Sequence, residues 1–181
     1  MNSLKIEGGY KLKGIINPQG SKNEALQIIC SVLLTDKKVV IKNIPDILDV
    51  NKLINLLEIL GVKVYKIKEN AYSFQADKIN LNKIKSDKFI TNAKSLRGSV
   101  MIVGPLLARF GKASIPSPGG DKIGRRRLDT HFDGLIKLGA KFNYDSDNNF
   151  YNVNSNELKG NKILLEEASV TGTANILMLL S

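Results

Sequence analysis

Two short segments of the chain set a cation beside small polar residues at what reads as the start of a helix. The first is Ser21-Lys22-Asn23-Glu24, in which Ser21 and Glu24 have the spacing of a capping box and can satisfy orphan backbone donors. Lys22 is not explained by a cap alone, because a cation at the positive end of a helix dipole is unfavourable unless an anion is bound there. Arg97 repeats the arrangement in Ser95-Leu96-Arg97-Gly98. Two helix starts that each hold a cation imply a shared site for negatively charged groups.

A third segment, Pro116-Ser117-Pro118-Gly119-Gly120-Asp121-Lys122-Ile123-Gly124-Arg125-Arg126-Arg127, combines backbone freedom with charge. Its glycines permit conformations closed to other residues, and its guanidinium groups offer planar forks to phosphate or carboxylate oxygens. Nucleic acid is the competing partner for a basic run, but no aromatic residues that could stack on bases are interleaved with this one. Asp121 lies among the cations. Neighbouring positive charge lowers a carboxyl pKa and desolvation raises it, so Asp121 is either a proton-exchanging carboxylate or a turn aspartate. His131, in Asp129-Thr130-His131, could be a general base but reads more readily as a hydrogen-bonded structural residue. Cys30 sits in an apolar run and reads as core rather than nucleophile.

The bulk composition narrows the partners. A formal net charge of +10 favours an anionic one. Of the 27 basic residues five are arginine, at 97, 109, 125, 126 and 127, and the remaining 22 are lysine. The lysines are scattered and read as a solvated face, whereas the arginines cluster. One cysteine and one histidine exclude an internal disulfide framework, a thiolate zinc cluster and a conventional metal box. Residues 1–10 alternate polar and apolar without the apolar run of a signal peptide, and no later stretch reaches the length that spans a bilayer. The expected location is the cytoplasm, with neither membrane nor nucleic acid as partner.

These residues must be positioned by repeated elements. Leu60-Gly61-Val62-Lys63-Val64 is echoed by Leu138-Gly139-Ala140-Lys141-Phe142 at an offset of 78, which also carries Tyr72 onto Phe150. Ser21, Ser95 and Ser169 lie 74 apart, each ahead of a small-residue and apolar run. The first unit reads as a buried helix over 23–35, a strand over 38–44, a helix through Val50, Leu53, Ile54, Leu57 and Leu60 ending at Gly61, and two strands over 62–68 and 72–76. The second repeats the order over 97–110, 113–115, 128–138, 141–144 and 150–153. The offset grows from 74 to 78 between the strand and the second helix, so the four extra residues fall in the glycine loop. A loop lengthened in one repeat only, and loaded with charge, suits function better than packing.

Five ordered segments make the chain resemble the UDP-N-acetylglucosamine 1-carboxyvinyltransferases. They are Pro18-Gln19-Gly20-Ser21-Lys22-Asn23-Glu24-Ala25-Leu26, Ser95-Leu96-Arg97-Gly98-Ser99, Gly104-Pro105-Leu106-Leu107-Ala108-Arg109-Phe110-Gly111, Pro118-Gly119-Gly120-Asp121-Lys122-Ile123-Gly124 and Ala168-Ser169-Val170-Thr171-Gly172-Thr173. The resemblance implies an α/β fold, a barrel-like enolpyruvyl transferase domain of three βαβαββ repeats. Units would run over 21–94 and 95–168, and the third would begin at 169 and be cut short at 181; residues 1–20 would hold a first strand, Leu4 to Leu12, belonging with a missing second domain. It also implies transfer of the enolpyruvyl group of phosphoenolpyruvate to the 3-hydroxyl of UDP-N-acetylglucosamine in peptidoglycan synthesis, with no cofactor and no metal. Lys22 and Arg126 would bind phosphoenolpyruvate, Asn23 the sugar nucleotide, and Arg97 the substrate site. Leu128, Asp129 and Arg127 would border the uridine diphosphate, with Ser169, Val170 and Thr171 at the diphosphate.

Asp121 stands where most of that family has cysteine, so the resemblance gives it the role of general acid and implies resistance to fosfomycin, the epoxide that alkylates the cysteine. The chain is expected to be a fragment, a split-gene half or a degraded frame, inactive alone and completed by a C-terminal fragment. The alternative of a different class is a non-catalytic binder of sugar nucleotides or another polyanion.

Overall fold

A computed structural model of the chain describes residues 3–119 and 128–181. Asp121, Arg125, Arg126 and Arg127 therefore lie outside the described residues. The apolar run after Ser21 forms helix α1, Lys22–Ser31, continued by a 3-10 turn, Val32–Leu34, and the Ser21 hydroxyl accepts from Glu24 N at 3.4 Å. Ala25, Leu26, Ile29 and Cys30 are buried, whereas Ile28 stays exposed, so α1 covers one broad face rather than its whole circumference. Strand β1, Lys38–Lys42, leads to helix α2, Leu48–Leu60, whose Val50, Leu53, Ile54, Leu57 and Leu60 are all buried as their spacing predicts. Gly61 ends α2 in the left-handed conformation at φ 108°, a geometry that glycine adopts without a side-chain clash. Strands β2, Lys63–Lys68, and β3, Ala71–Gln75, then complete an antiparallel sheet of order β1-β3-β2.

The next segment departs from the simple repeat. A 3-10 turn, Leu81–Lys85, precedes helix α3, Asp87–Lys94, which Ser86 caps by accepting from Phe89 N at 3.3 Å and which Phe89 and Ala93 anchor in the core. Ser95 consequently closes α3 instead of opening the following helix: its N–H donates to Thr91 O and Asn92 O. The run expected as one helix over 97–110 is a 3-10 turn, Arg97–Ile102, followed by helix α4, Val103–Phe110. Pro105 explains the division. It has no N–H to bond four residues back, so it is accommodated only in the first turn of α4.

Strand β4, Lys112–Pro116, helix α5, Asp129–Lys137, and strands β5, Lys141–Asp145, and β6, Phe150–Asn154, repeat the first unit, with sheet order β4-β6-β5. Their register corrects one correspondence read from the sequence. Tyr72 faces Ile41 and Lys66, and the residue facing Ile115 and Tyr144 is Tyr151, not Phe150. The β5–β6 turn is longer than the β2–β3 turn, where a bulge between Lys66 and Lys68 takes up part of the difference. Helix α6, Val170–Leu179, is capped by Ser169, whose hydroxyl accepts from Gly172 N at 3.1 Å, and it packs against α4 and α5.

One continuous core joins both units through Leu33, Leu57, Phe74, Phe89, Ile102 and Leu106, all essentially inaccessible. Arg109 ties them at one end: its Nη1 donates to Leu33 O, Thr35 O and Ala76 O at 3.1, 3.1 and 2.8 Å. Residues 3–21 carry no regular element, and Leu4 and Leu12, in the segment expected to pair with a second domain, are 93% and 98% exposed. No helix among the described residues is long and apolar enough to cross a membrane.

Candidate functional site

The starts of α1 and α6 and the 3-10 turn at Arg97 face one cleft of about 670 Å³. Lys22 and Asn23 enter it from the first turn of α1, and Arg97 and Met101 from the 3-10 turn. Ser169, Val170 and Thr171 enter it from the cap of α6. Six residues named from the sequence, drawn from three segments about 74 residues apart, are thus gathered by the fold. Backbone N–H groups at helix starts and cationic side chains on a shared cavity suit phosphate or carboxylate groups.

Electrostatically the cleft is mixed rather than uniformly basic. Lys22 Nζ lies 3.0 Å from Asp49 Oδ2 in the first turn of α2, with both side chains substantially exposed. The cation that seemed to need an external anion therefore holds a carboxylate from the neighbouring helix. Lys52 and Glu167 also line the cleft, and Glu167 Oε1 accepts from Thr130 Oγ1 at 3.1 Å. Sequence reasoning did not single out Asp49, Lys52 or Glu167. Their signal was weak, since Asp49 and Lys52 read as the solvated face of an amphipathic helix.

His131, left open in the sequence, is 3% exposed at the inner wall of the cleft. Burial first, and then the Arg97 guanidinium, hold its pKa down to about 4. The Asn175 amide accepts from Gly104 N at 2.7 Å and donates to Val100 O at 3.1 Å, which fixes its orientation. His131 Nδ1, 3.2 Å from Asn175 Nδ2, is then the acceptor, and the neutral ring carries its proton on Nε2, 3.2 Å from Thr171 Oγ1. His131 thus orients Thr171, leaving the threonine hydroxyl hydrogen available to an acceptor. Cys30 is fully buried, and burial pushes its thiol pKa far up, in keeping with a core role.

Leu128 and Asp129 line a second depression of about 470 Å³, which meets the first at Arg97. Ser117 and Pro118 form its rim, and Phe132, Phe142 and Tyr151 form an aromatic wall with ring centroids 4.7 to 6.0 Å apart. The structure thus separates Leu128 and Asp129 from the cleft that holds Lys22 while keeping them adjacent to it. Among the described residues no group of histidine, cysteine or acidic side chains could hold a metal ion.

A sequence model of the EPSP synthase (3-phosphoshikimate 1-carboxyvinyltransferase) family matches residues 6–181. The chain belongs to this family. Among the family's curated proteins, the UDP-N-acetylglucosamine 1-carboxyvinyltransferase of Bacteroides fragilis is 58% identical over 178 residues, 98% of this chain and 41% of that protein. Those of Porphyromonas gingivalis and Treponema denticola are 59% and 43% identical over 98% of this chain, and 41% and 40% of their own lengths. The resemblance carried by the five motifs is therefore sustained along nearly the whole chain, which spans about two fifths of these relatives. The family's fold is also seen in the enolpyruvyl transferase NikO from Streptomyces tendae, with TM-score 0.73 at 15% identity over 95% of this chain and 39% of that one. An EPSP synthase from Acinetobacter baumannii has TM-score 0.64 at 16% identity, over 92% of this chain and 37% of that one.

Proposed function

We propose that this chain forms one wall of a UDP-N-acetylglucosamine 1-carboxyvinyltransferase site, which transfers enolpyruvyl from phosphoenolpyruvate to the 3-hydroxyl of UDP-N-acetylglucosamine and releases phosphate. The observation that carries this reading is the convergence of Lys22, Asn23, Arg97, Ser169, Val170 and Thr171 on one cleft. In this reading Lys22 and Arg126 hold phosphoenolpyruvate, and Asn23 contacts the sugar nucleotide. Ser169, Val170 and Thr171 meet the diphosphate, while Arg127, Leu128 and Asp129 border the uridine side. The two helix–strand–helix–strand–strand units and α6 support a barrel-like domain that a longer chain closes in the cytoplasm.

Asp121 is the proposed general acid. Its carboxyl proton goes to the methylene carbon of phosphoenolpyruvate as the substrate hydroxyl attacks the neighbouring carbon and passes its own proton to the phosphate group; return of a methyl proton to the Asp121 carboxylate then re-forms the double bond and expels hydrogen phosphate. The carboxylate is a poor nucleophile toward an epoxide, and Cys30 is buried, so fosfomycin should leave the chain unmodified. Mass spectrometry after incubation with the drug and UDP-N-acetylglucosamine checks this. The unaltered chain is expected to keep its mass and Asp121→Cys to gain one adduct; an adduct on the unaltered chain would overturn the assignment.

Turnover is proposed to need the remaining length that the relatives carry. Calorimetric titration of the 181-residue chain with UDP-N-acetylglucosamine should show saturable binding, while phosphate release from both substrates should stay at background. Tighter binding of a duplex oligonucleotide, with displacement of the sugar nucleotide, would favour a general polyanion binder instead.

A further inference from the structure

Helix α2 presents a second charged side chain to the cleft, three residues beyond Asp49. Lys52 is half-buried, and its ammonium donates to the Ser95 carbonyl at 3.3 Å. Among the described residues no carboxylate is paired with it. The two carboxylates of the cleft are engaged elsewhere, Asp49 by Lys22 and Glu167 by Thr130. The neutral ring of His131 offers no compensating charge. An ammonium carries three N–H donors, and one carbonyl leaves two of them to be satisfied. Those two donors lie on a cavity that Lys52 shares with Lys22 and Arg97, where an incoming anion can accept them.

We propose that Lys52 is an anion-contacting residue of this cleft, whose ammonium takes a phosphate or carboxylate oxygen of the smaller substrate, a phosphorylated carboxylate. The assignment rests on the reading of the cleft given above. Its bond to Ser95, at the end of α3 and two residues before Arg97, places the ammonium beside the start of the 3-10 turn that carries Arg97. A purely structural lysine there would brace the last carbonyls of α3, and that role predicts a loss of stability rather than a loss of affinity.

The test is calorimetric titration of the full chain with phosphoenolpyruvate and, separately, UDP-N-acetylglucosamine, at low and near-physiological salt. It compares the unaltered protein with Lys52→Met and Lys52→Arg. The methionine variant should bind phosphoenolpyruvate about tenfold more weakly and lose part of the salt dependence, since one charge-assisted hydrogen bond is removed. The arginine variant should stay within about threefold, and UDP-N-acetylglucosamine affinity within about twofold, because that ligand has other anchors. Equal phosphoenolpyruvate affinity in all three proteins would overturn the assignment and leave the reading of the cleft intact. Failure of the unaltered chain to bind either ligand would overturn both. Should Lys52→Met not fold, the side-chain resonances of Lys52 in the unaltered chain decide: a shift on adding phosphoenolpyruvate supports the contact, and none overturns it.

Discussion

His131 ties stability to pH through a single ring. Its folded pKa, about 4, lies below the ordinary 6.5, so the folded state resists a proton that the unfolded chain accepts. Its contribution is complete above about pH 6.5 and is lost as the pH falls toward 4, at roughly 1.4 kcal/mol per unit through that window. Urea unfolding between pH 7 and 4 should therefore show a steeper decline for the unaltered chain than for His131→Asn. Parallel profiles would mean that the ring is not held neutral. Arg109 is the second residue whose role is set by what it touches. Lysine cannot reproduce one guanidinium nitrogen shared among three carbonyls, so Arg109→Lys should lower unfolding free energy by roughly 2 kcal/mol. Neither role was legible from spacing. The sequence favours a structural role for His131, but only Asn175, from a segment 44 residues away, fixes its tautomer.

At the level of elements, the glycine helix ends were legible, and of the three serine starts Ser21 and Ser169 hold while Ser95 does not. The left-handed cap at Gly61 and its counterpart at Gly139 follow from local chemistry, because each ends an amphipathic run with the residue that tolerates positive φ. Gly61→Ala should cost about 1 kcal/mol or more, since the added methyl group also meets the Lys78 carbonyl. Gly104 matters for a different reason. A β-carbon there would collide with Asn175, so Gly104→Ala should separate α4 from α6 and destabilise by roughly 1–3 kcal/mol, measurable as a lowered denaturation midpoint. Ser95 misleads in the sequence because its spacing from Ser21 and Ser169 suggests a third cap. Phe89 and Ala93 instead recruit the preceding residues into α3, and tertiary burial outweighs the local signal.

For the whole molecule, the +10 net charge leaves a self-repelling surface, and lysines supply most of it. Moderate sodium chloride should raise the urea midpoint by screening that repulsion, while weakening the phosphoenolpyruvate binding proposed for the cleft. An unchanged midpoint would show that the charges are already balanced in space. The sequence by itself determined the family, the repeated order of elements and six residues of the cleft, because these depend on local periodicity and on motifs held at fixed spacing. Only the tertiary structure decided that Lys22 is answered by Asp49, that Lys52 is left beside it, and that Leu128 and Asp129 lie in an adjoining depression. Such pairings join helices far apart in the chain, and their distances are set by how the core packs α1, α2 and α6 together rather than by any property of the residues alone.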